Sequence, residues 1–503
     1  MPITTPDWIR DAVFYQIFPD RFARSNSVPK KGLNLEDWDS APTPYGFKGG
    51  DLLGIVENLD YLQDLGINAL YLNPITASAS NHRYHTYDYF KIDPLLGGDT
   101  AFRELLDTAH DRGIHVVMDG VFNHASRGFW QFHHVLENGA GSPYIDWFHF
   151  NPDRLRGKKH WGAYPTPEER RRLDQGTRSF DAIGYQAWWN LPALPKFNTD
   201  TPAVRDFIFE AAEHWIKFGA DGWRLDVPTE IDDDSFWQEF RRRVKGVNPD
   251  AYIVGEIWHE SKRWLQGDQF DAVMNYLLTG GLMGWLIGER LPPYIFDIGD
   301  YRKYLRPLNA EGFANWIDDL LGLYDPAINS VQLNLLDSHD TSRFITTAGG
   351  DKSALKLGWL FLFTYIGAPC IYYGDEVGLS GGPDPACRGA FPWNEKDWDQ
   401  ELHDFVKQLI KLRLDHPALR RGTYQRLYAR DDVFAYSRRS ADETVIVVIN
   451  AGLNISVTDI PLSLLNQPEG PIKILFGETY VNVEGGNLNG LRLGPRSGVV
   501  LGT

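Results

Sequence analysis

The sequence holds only two cysteines in 503 residues, Cys370 and Cys387. Two thiols cannot staple a disulfide framework, and Cys370 lies in the apolar run AlaProCysIleTyrTyr, where a buried thiol is expected. No stretch reaches the roughly 18 uninterrupted apolar residues of a membrane span. The opening residues, MPITTPDWIRDAVFYQ, lack the basic and then apolar pattern of a secretory leader, so the cytoplasm is the expected location. Positive charge is scarce too: 50 Lys and Arg face 67 Asp and Glu, a net charge of −17. That balance repels phosphate backbones and anionic lipid, which argues against nucleic-acid, membrane or polyanionic partners. The short basic runs at 168–172 and 241–243 read as solvated surface. His133 and His134 lack the neighbouring Cys or carboxylate spacing of a metal site. Low-complexity linkers and internal repeats are absent.

What the chain does have is length, aromatic rings and a regular alternation. Apolar residues make up 43% and charged residues 23%, as in an ordinary soluble globular protein, which excludes a disordered chain. With 17 Trp, 23 Tyr and 28 Phe, the sequence is rich in faces that stack on sugar rings and also fill cores. Strand-like runs at 13–19, 68–75, 115–123, 222–227, 251–257, 272–277, 330–336 and 368–373 alternate with amphipathic helical segments. Such alternation implies a parallel sheet, and eight units imply a closed (β/α)8 barrel, an α/β fold. A long irregular stretch from 125 to 185 exceeds a connecting loop and reads as an inserted subdomain. After about 420 the texture changes to short strands with Gly and Asn turns, a small antiparallel β domain. The expected division is therefore 1–124 and 186–420 for the barrel, 125–185 for the insert and 421–503 for the C-terminal β-sandwich.

In a barrel of this kind chemistry sits at the C-terminal strand ends. Four runs there turn abruptly from apolar to charged: AspGlyValPheAsnHis (119–124), GlyTrpArgLeuAspValProThrGlu (222–230), GlyGluIleTrpHis (255–259) and LeuLeuAspSerHisAspThrSerArg (335–343). Carboxylates in apolar strands are costly without a partner or a task. Arg224 and Asp226, two apart, share a strand face, and a guanidinium beside a carboxylate keeps it ionised, which suits a nucleophile. Glu256, among apolar neighbours, is expected to have a raised pKa, which suits a general acid. Asp340 adds a third carboxylate. One ionised and one protonated carboxyl flanking a bond is the arrangement for glycoside hydrolysis.

These runs resemble the signature regions of the α-amylase family of retaining α-glucan glycoside hydrolases. The resemblance extends to AspAlaValPheTyrGlnIlePheProAspArgPhe (11–22), to the insert (domain B) and to the β tail (domain C). It implies Asp226 as nucleophile, Glu256 as acid/base and Asp340 as the carboxylate that holds sugar hydroxyls and distorts the ring in subsite −1. It implies that Arg224 orients Asp226, that His124 and His339 hydrogen-bond the −1 sugar, and that Asp119 and Asn123 support the site. Tyr84, within HisArgTyrHisThrTyrAspTyr (82–89), would stack under the −1 glucose, and Asp384 and Arg388 would close that subsite. LeuProLysPheAsn (194–198) and ValProThrGlu (227–230) resemble the neopullulanase and cyclomaltodextrinase versions of their regions. Glu230 would then lie near the acceptor subsites, and Trp258 would stack on the plus side.

Typical members of that group carry an extra β domain before the barrel, whereas here the barrel begins within the first dozen residues. A related cyanobacterial debranching enzyme shares this shorter plan, so α-1,6 cleavage stays open beside α-1,4 cleavage of maltooligosaccharides, cyclodextrins and pullulan. Transfer of the glucosyl intermediate to a sugar hydroxyl is a second reading, and a non-catalytic scaffold a third that the retained carboxylates disfavour. Asn123 matches a calcium ligand of true α-amylases; no cofactor is expected, and calcium is compatible but not required. A monomer or homodimer is expected.

Overall fold

The computed structural model describes residues 2–156, 162–463, 465 and 472–503. Eight parallel strands form the barrel: β1 (Phe14–Ile17), β2 (Ala69–Leu72), β3 (His115–Gly120), β4 (Gly222–Leu225), β5 (Tyr252–Gly255), β6 (Ala272–Val273), β7 (Leu333–Leu335) and β8 (Ala368–Tyr372). Their spatial order is β6-β5-β4-β3-β2-β1-β8-β7. A parallel bridge from Met274 to Leu333 joins the two ends and closes the ring. Every strand is short and buried on both faces, which is why it reads as a continuous apolar run rather than an alternation.

Helices form where the pattern changes to the 3.6 period. Pro202–Phe218 starts with proline in its first turn, buries Val204, Ile208, Ala211, Ala212 and Trp215 along one face, and ends at Gly219 in the left-handed region (φ 119°). Lys352–Thr364 is capped by Asp351, whose carboxylate accepts from the Ser353 and Ala354 N–H groups. The segment after β6 departs from expectation. Its strand stops at Val273, and Tyr276–Leu286 is a helix. Nearly all of its residues are buried, so it has no polar stripe to reveal it. Gly281 lets it lie against Trp316, where an added Cβ would come within 2.5 Å of the indole. A further element sits between β2 and β3: a hairpin of Thr76–Ser78 and Thr86–Ile92 that stands above the barrel mouth.

The C-terminal region forms two antiparallel sheets. Strands β9 (Thr423–Arg430), β10 (Val433–Arg439), β11 (Thr444–Asn450), β12 (Ser456–Pro461), β13 (Lys473–Phe476), β14 (Val483–Glu484), β15 (Asn487–Leu493) and β16 (Ser497–Gly502) arrange as β9-β10-β11-β16-β13 and β12-β15-β14. The period of two divides β11 cleanly. Val445, Val447 and Ile449 join the barrel's core, while Ile446 and Val448 pack with Ile460, Leu491 and Leu501 between the sheets. Phe434 meets Trp285, Phe313 and Phe361 of the barrel at 5.9, 5.6 and 6.4 Å. Two buried arginines complete this seam: Arg413 donates to the carbonyls of Phe363, Tyr365, Gly367 and Leu419, and Arg438 to those of Thr364, Leu419 and Gly422.

Replacing Phe434 by Ala empties the middle of this aromatic seam and is expected to cost about 3–5 kcal/mol, as large-to-small core changes do. Urea unfolding of wild type and variant measures it; a loss below about 1 kcal/mol would show that the two regions fold independently of this contact.

Candidate active site

The centre of the barrel mouth is a single guanidinium. Arg224 on β4 is fully buried and pairs in register with Asp119 on β3. Its Nη1 donates to both Asp119 oxygens at 2.9 and 3.0 Å and to Asp226 Oδ1 at 3.2 Å. Its Nη2 lies 3.0 Å from Glu256 Oε2 and 3.9 Å from Asp340 Oδ2. Four strand ends thus deliver four carboxylates to one cation. Glu256 follows β5 directly, accepts the Val227 N–H at 3.1 Å on Oε2 and the Trp258 indole N–H at 3.0 Å on Oε1. Val227, the residue after Asp226, sits in the left-handed region with φ 35°, an unusual place for a β-branched residue and one that aims its N–H at Glu256. Asp226 Oδ2 is buried and accepts no hydrogen bond.

A second network lies over the first. Tyr84, from the turn of the hairpin, donates its hydroxyl to Asp119 Oδ2 at 2.7 Å and accepts from the Asn73 amide at 3.0 Å. His339 stacks parallel to Tyr84 at 5.5 Å, and its Nε2 lies 2.6 Å from the Tyr84 hydroxyl and 3.0 Å from Asp340 Oδ2. Gln16 Nε2, 2.9 Å from His339 Nδ1, donates to that nitrogen, so the neutral ring carries its proton on Nε2. Tyr71 adds a second hydroxyl to Asp119 at 2.9 Å. Arg388 reaches Asp340 at 3.3 Å and Asp384 at 3.1 Å.

The remaining residues singled out from the sequence surround this centre. His124 is buried, its Nε2 unpartnered, with one face stacked on Trp188 at 4.9 Å. Asn123 Oδ1 is buried and unpartnered beside it. Glu230 is ion-paired with Lys196 at 3.1 Å. Trp258 is half-buried: Tyr276 covers its ring at 3.6 Å, and Gly299, where a Cβ would sit 2.2 Å away, packs against it. The indole, so held, orients Glu256 through its N–H. Gln16, Tyr71 and Asn73 were not singled out, although Gln16 stood as the one polar residue in the run VFYQIF. Among the described residues no group of three or more His, Cys, Asp or Glu side chains is arranged to hold a metal ion.

Comparison with known proteins accords with this geometry. Residues 16–425 match the family "Alpha amylase, catalytic domain", and residues 424–501 match "Neopullulanase-like, C-terminal domain". The chain belongs to the α-amylase family of glycoside hydrolases. It is 44% identical to a cyclomaltodextrinase of Bacillus sp. over 88% of this chain and 73% of that one. It is 42% identical to neopullulanase 2 of Thermoactinomyces vulgaris over 89% and 70% of the two chains. Its fold superposes on the Nostoc punctiforme debranching enzyme with a TM-score of 0.88 at 48% identity, covering 100% of both chains.

In this α-amylase-family site, charge balance departs from the reading that Arg224 simply keeps Asp226 ionised. Burial pushes the Asp226 carboxyl well above the usual range; Arg224 opposes this, but Glu256, Asp119 and Asp340 repel a further negative charge. Burial likewise raises Glu256, with Arg224 lowering and Asp340 raising. Asp119 is pushed up to about 6 by burial against the pull of Arg224. Asp119, Asp226 and Glu256 share the one Arg224 and all three are raised, so they titrate together and hold a proton above the ordinary carboxylate range. Burial drives His124 down to about 3 and His339 well below the ordinary range, so both rings are neutral.

The Asp119→Asn variant removes one repelling charge and frees Nη1 of Arg224 for Asp226. Both changes let Asp226 release its proton at lower pH. The acid limb of the kcat/KM profile is expected to move to lower pH; an unmoved limb, or one shifted upward, would refute this electrostatic account.

Proposed function

We propose that this enzyme is a retaining α-glucan hydrolase that cleaves α-1,4 bonds, and in part α-1,6 bonds, of maltooligosaccharides, cyclodextrins and pullulan. The observation that carries the reading is the Asp226/Glu256 pair: two carboxylates held side by side on the two arms of Arg224, one with a buried oxygen free of partners. Two carboxylates that share one guanidinium are expected at the shorter separation of retaining enzymes, about 5–5.5 Å, rather than the wider one of inverting enzymes. Glu256 gives its proton to the glycosidic oxygen as the bond to C1 breaks, and Asp226 Oδ2 bonds to C1. Water then attacks C1, Glu256 takes its proton, and Asp226 is released. Asp340, Arg388 and the Nε2–H of His339 bind hydroxyls of the ring at the reacting bond, Tyr84 lies beneath it, and His124, whose Nδ1 accepts from the Asn123 amide at 3.2 Å, donates its Nε2–H to another hydroxyl. Asp119 holds Arg224 and Tyr84, Asp384 holds Arg388, and Trp258 holds Glu256. Glu230 lies on the acceptor side with Lys196.

In this reading residues 125–185 form domain B over a barrel of 1–124 and 186–420, with domain C at 421–503. The chemistry uses side chains alone. A cytoplasmic location belongs to the same reading: both cysteines are free and buried, and no helix among the described residues is long and apolar enough to cross a membrane. Debranching stands as the second reading, favoured by the superposition on the Nostoc enzyme along the full length of both chains.

Products released from pullulan separate the two. Panose is expected from α-1,4 cleavage; maltotriose as the main product would make this primarily a debranching enzyme. Asp226→Asn and Glu256→Gln are each expected to lower kcat by about 10³-fold or more, and a variant retaining a tenth of the activity would refute the assignment.

A further inference from the structure

The chain between Ala187 and Pro195 presents a feature that the catalytic chemistry does not use. Trp188 lies against His124, and Trp189 lies flat against Trp188, with centroids 4.4 Å apart and planes 11° apart. The three rings form a stack that starts at the buried His124 and ends in solvent, where Trp189 is 76% exposed. One indole face is covered and the other is open.

The backbone holds this position against its own preference. Trp189 and Asn190 are consecutive left-handed residues, with φ of 50° and 59°. Neither is glycine, and strain of this kind persists only where the surroundings enforce it. They do so at several points. The Asn190 side chain accepts the Ser179 N–H at 2.8 Å, the Trp188 N–H donates to Leu194 O at 2.9 Å, and the Tyr185 hydroxyl donates to Pro192 O at 2.7 Å. Bridges from Ala187 to Pro195 and from His124 to Lys196 tie the loop to the end of the segment that carries His124. A large aromatic residue is thus kept strained, rigid and wet, at a fixed offset from a residue of the site. A packing role does not require the open face.

We infer that Trp189 is a platform for a glucosyl unit adjoining the one at the reacting bond. The C–H face of a glucose ring is apolar and flat enough to stack on an indole, and a preordered ring loses little freedom when it binds. Trp189 therefore sets how strongly the enzyme favours long α-glucan chains over short ones. The inference rests on the α-glucan reading of the site.

The test compares wild type, Trp189→Ala and Trp189→Phe on maltotriose and maltoheptaose, with thermal unfolding to verify the fold. The Ala variant is expected to raise KM for maltoheptaose about tenfold and to lower the maltoheptaose-to-maltotriose ratio of kcat/KM by a similar factor. The Phe variant, which keeps a stacked ring, is expected to recover most of it. Calorimetric titration of maltoheptaose into the Glu256→Gln protein, with and without Trp189→Ala, is expected to show the same loss of affinity. An equal drop on both substrates carried in kcat would mean that Trp189 only props His124, and no change would mean that the ring binds nothing; either overturns the inference. A wild type that hydrolyses neither substrate would instead overturn the proposed function.

Discussion

Arg224 is the group on which the mouth of this barrel depends. Its guanidinium is shared by Asp119, Asp226 and Glu256 and approached by Asp340. Each carboxylate comes from a different strand end, so the cation fixes their relative positions and lowers the repulsion that would drive them apart. Its planar fork can hold Asp226 on one arm and Glu256 on the other; a lysine point charge could not. The same arrangement leaves an excess of negative charge in a dry site, and that excess keeps a proton within the cluster.

The hairpin and the chain around His124 and Lys196 build the walls around this centre. Tyr84 reaches down from the hairpin to Asp119, and its stacking partner His339 is set by Gln16 from β1 on one side and Asp340 on the other. Elements far apart in sequence therefore agree on one tautomer and one ring position. On the opposite side the chain is tied by backbone bridges, Lys196 to His124 and Phe197 to Phe148. Both walls are polar where they meet the centre and aromatic behind it, which orders the polar groups before a substrate arrives.

Most of this was legible because period and position constrain it. Arg224 and Asp226 lie two apart on a strand, Glu256 ends the next strand, and an α/β barrel opens its strand ends on one face, so these residues had to converge. Tyr71 was not legible, since a strand buried on both faces carries no alternation to mark which side chains point inward. The helix Tyr276–Leu286 was hidden for the matching reason: buried all round, it lacks a polar stripe. The upward push on Asp226 was not legible because the sequence displays its neighbour Arg224 two residues away but not the three other carboxylates the fold brings to the same cation. The spacing of Trp258 from Glu256 is visible in the sequence, whereas Tyr276 and Gly299, which pack against its ring, come from elsewhere in the chain.

The buried arginines of the domain seam show why the central one differs. Arg413 and Arg438 are as buried as Arg224, yet they donate only to backbone carbonyls in the contacts that define the seam. Burial, helped by Arg438 and Arg420, pulls Arg413 down to about 9 against a weaker pull from Asp11, and burial pulls Arg438 down to about 10. Arg224 moves the opposite way, because Asp119 and Glu256 outweigh the same burial. A guanidinium among carbonyls can only hold polypeptide segments together, since no partner can exchange a proton at working pH. A guanidinium among carboxylates leaves them competing for one cation, and the proton they retain is what acid catalysis needs. The chain thus uses one residue type to join its domains and to poise its chemistry, and the number of carboxylates delivered to each guanidinium decides which role it has.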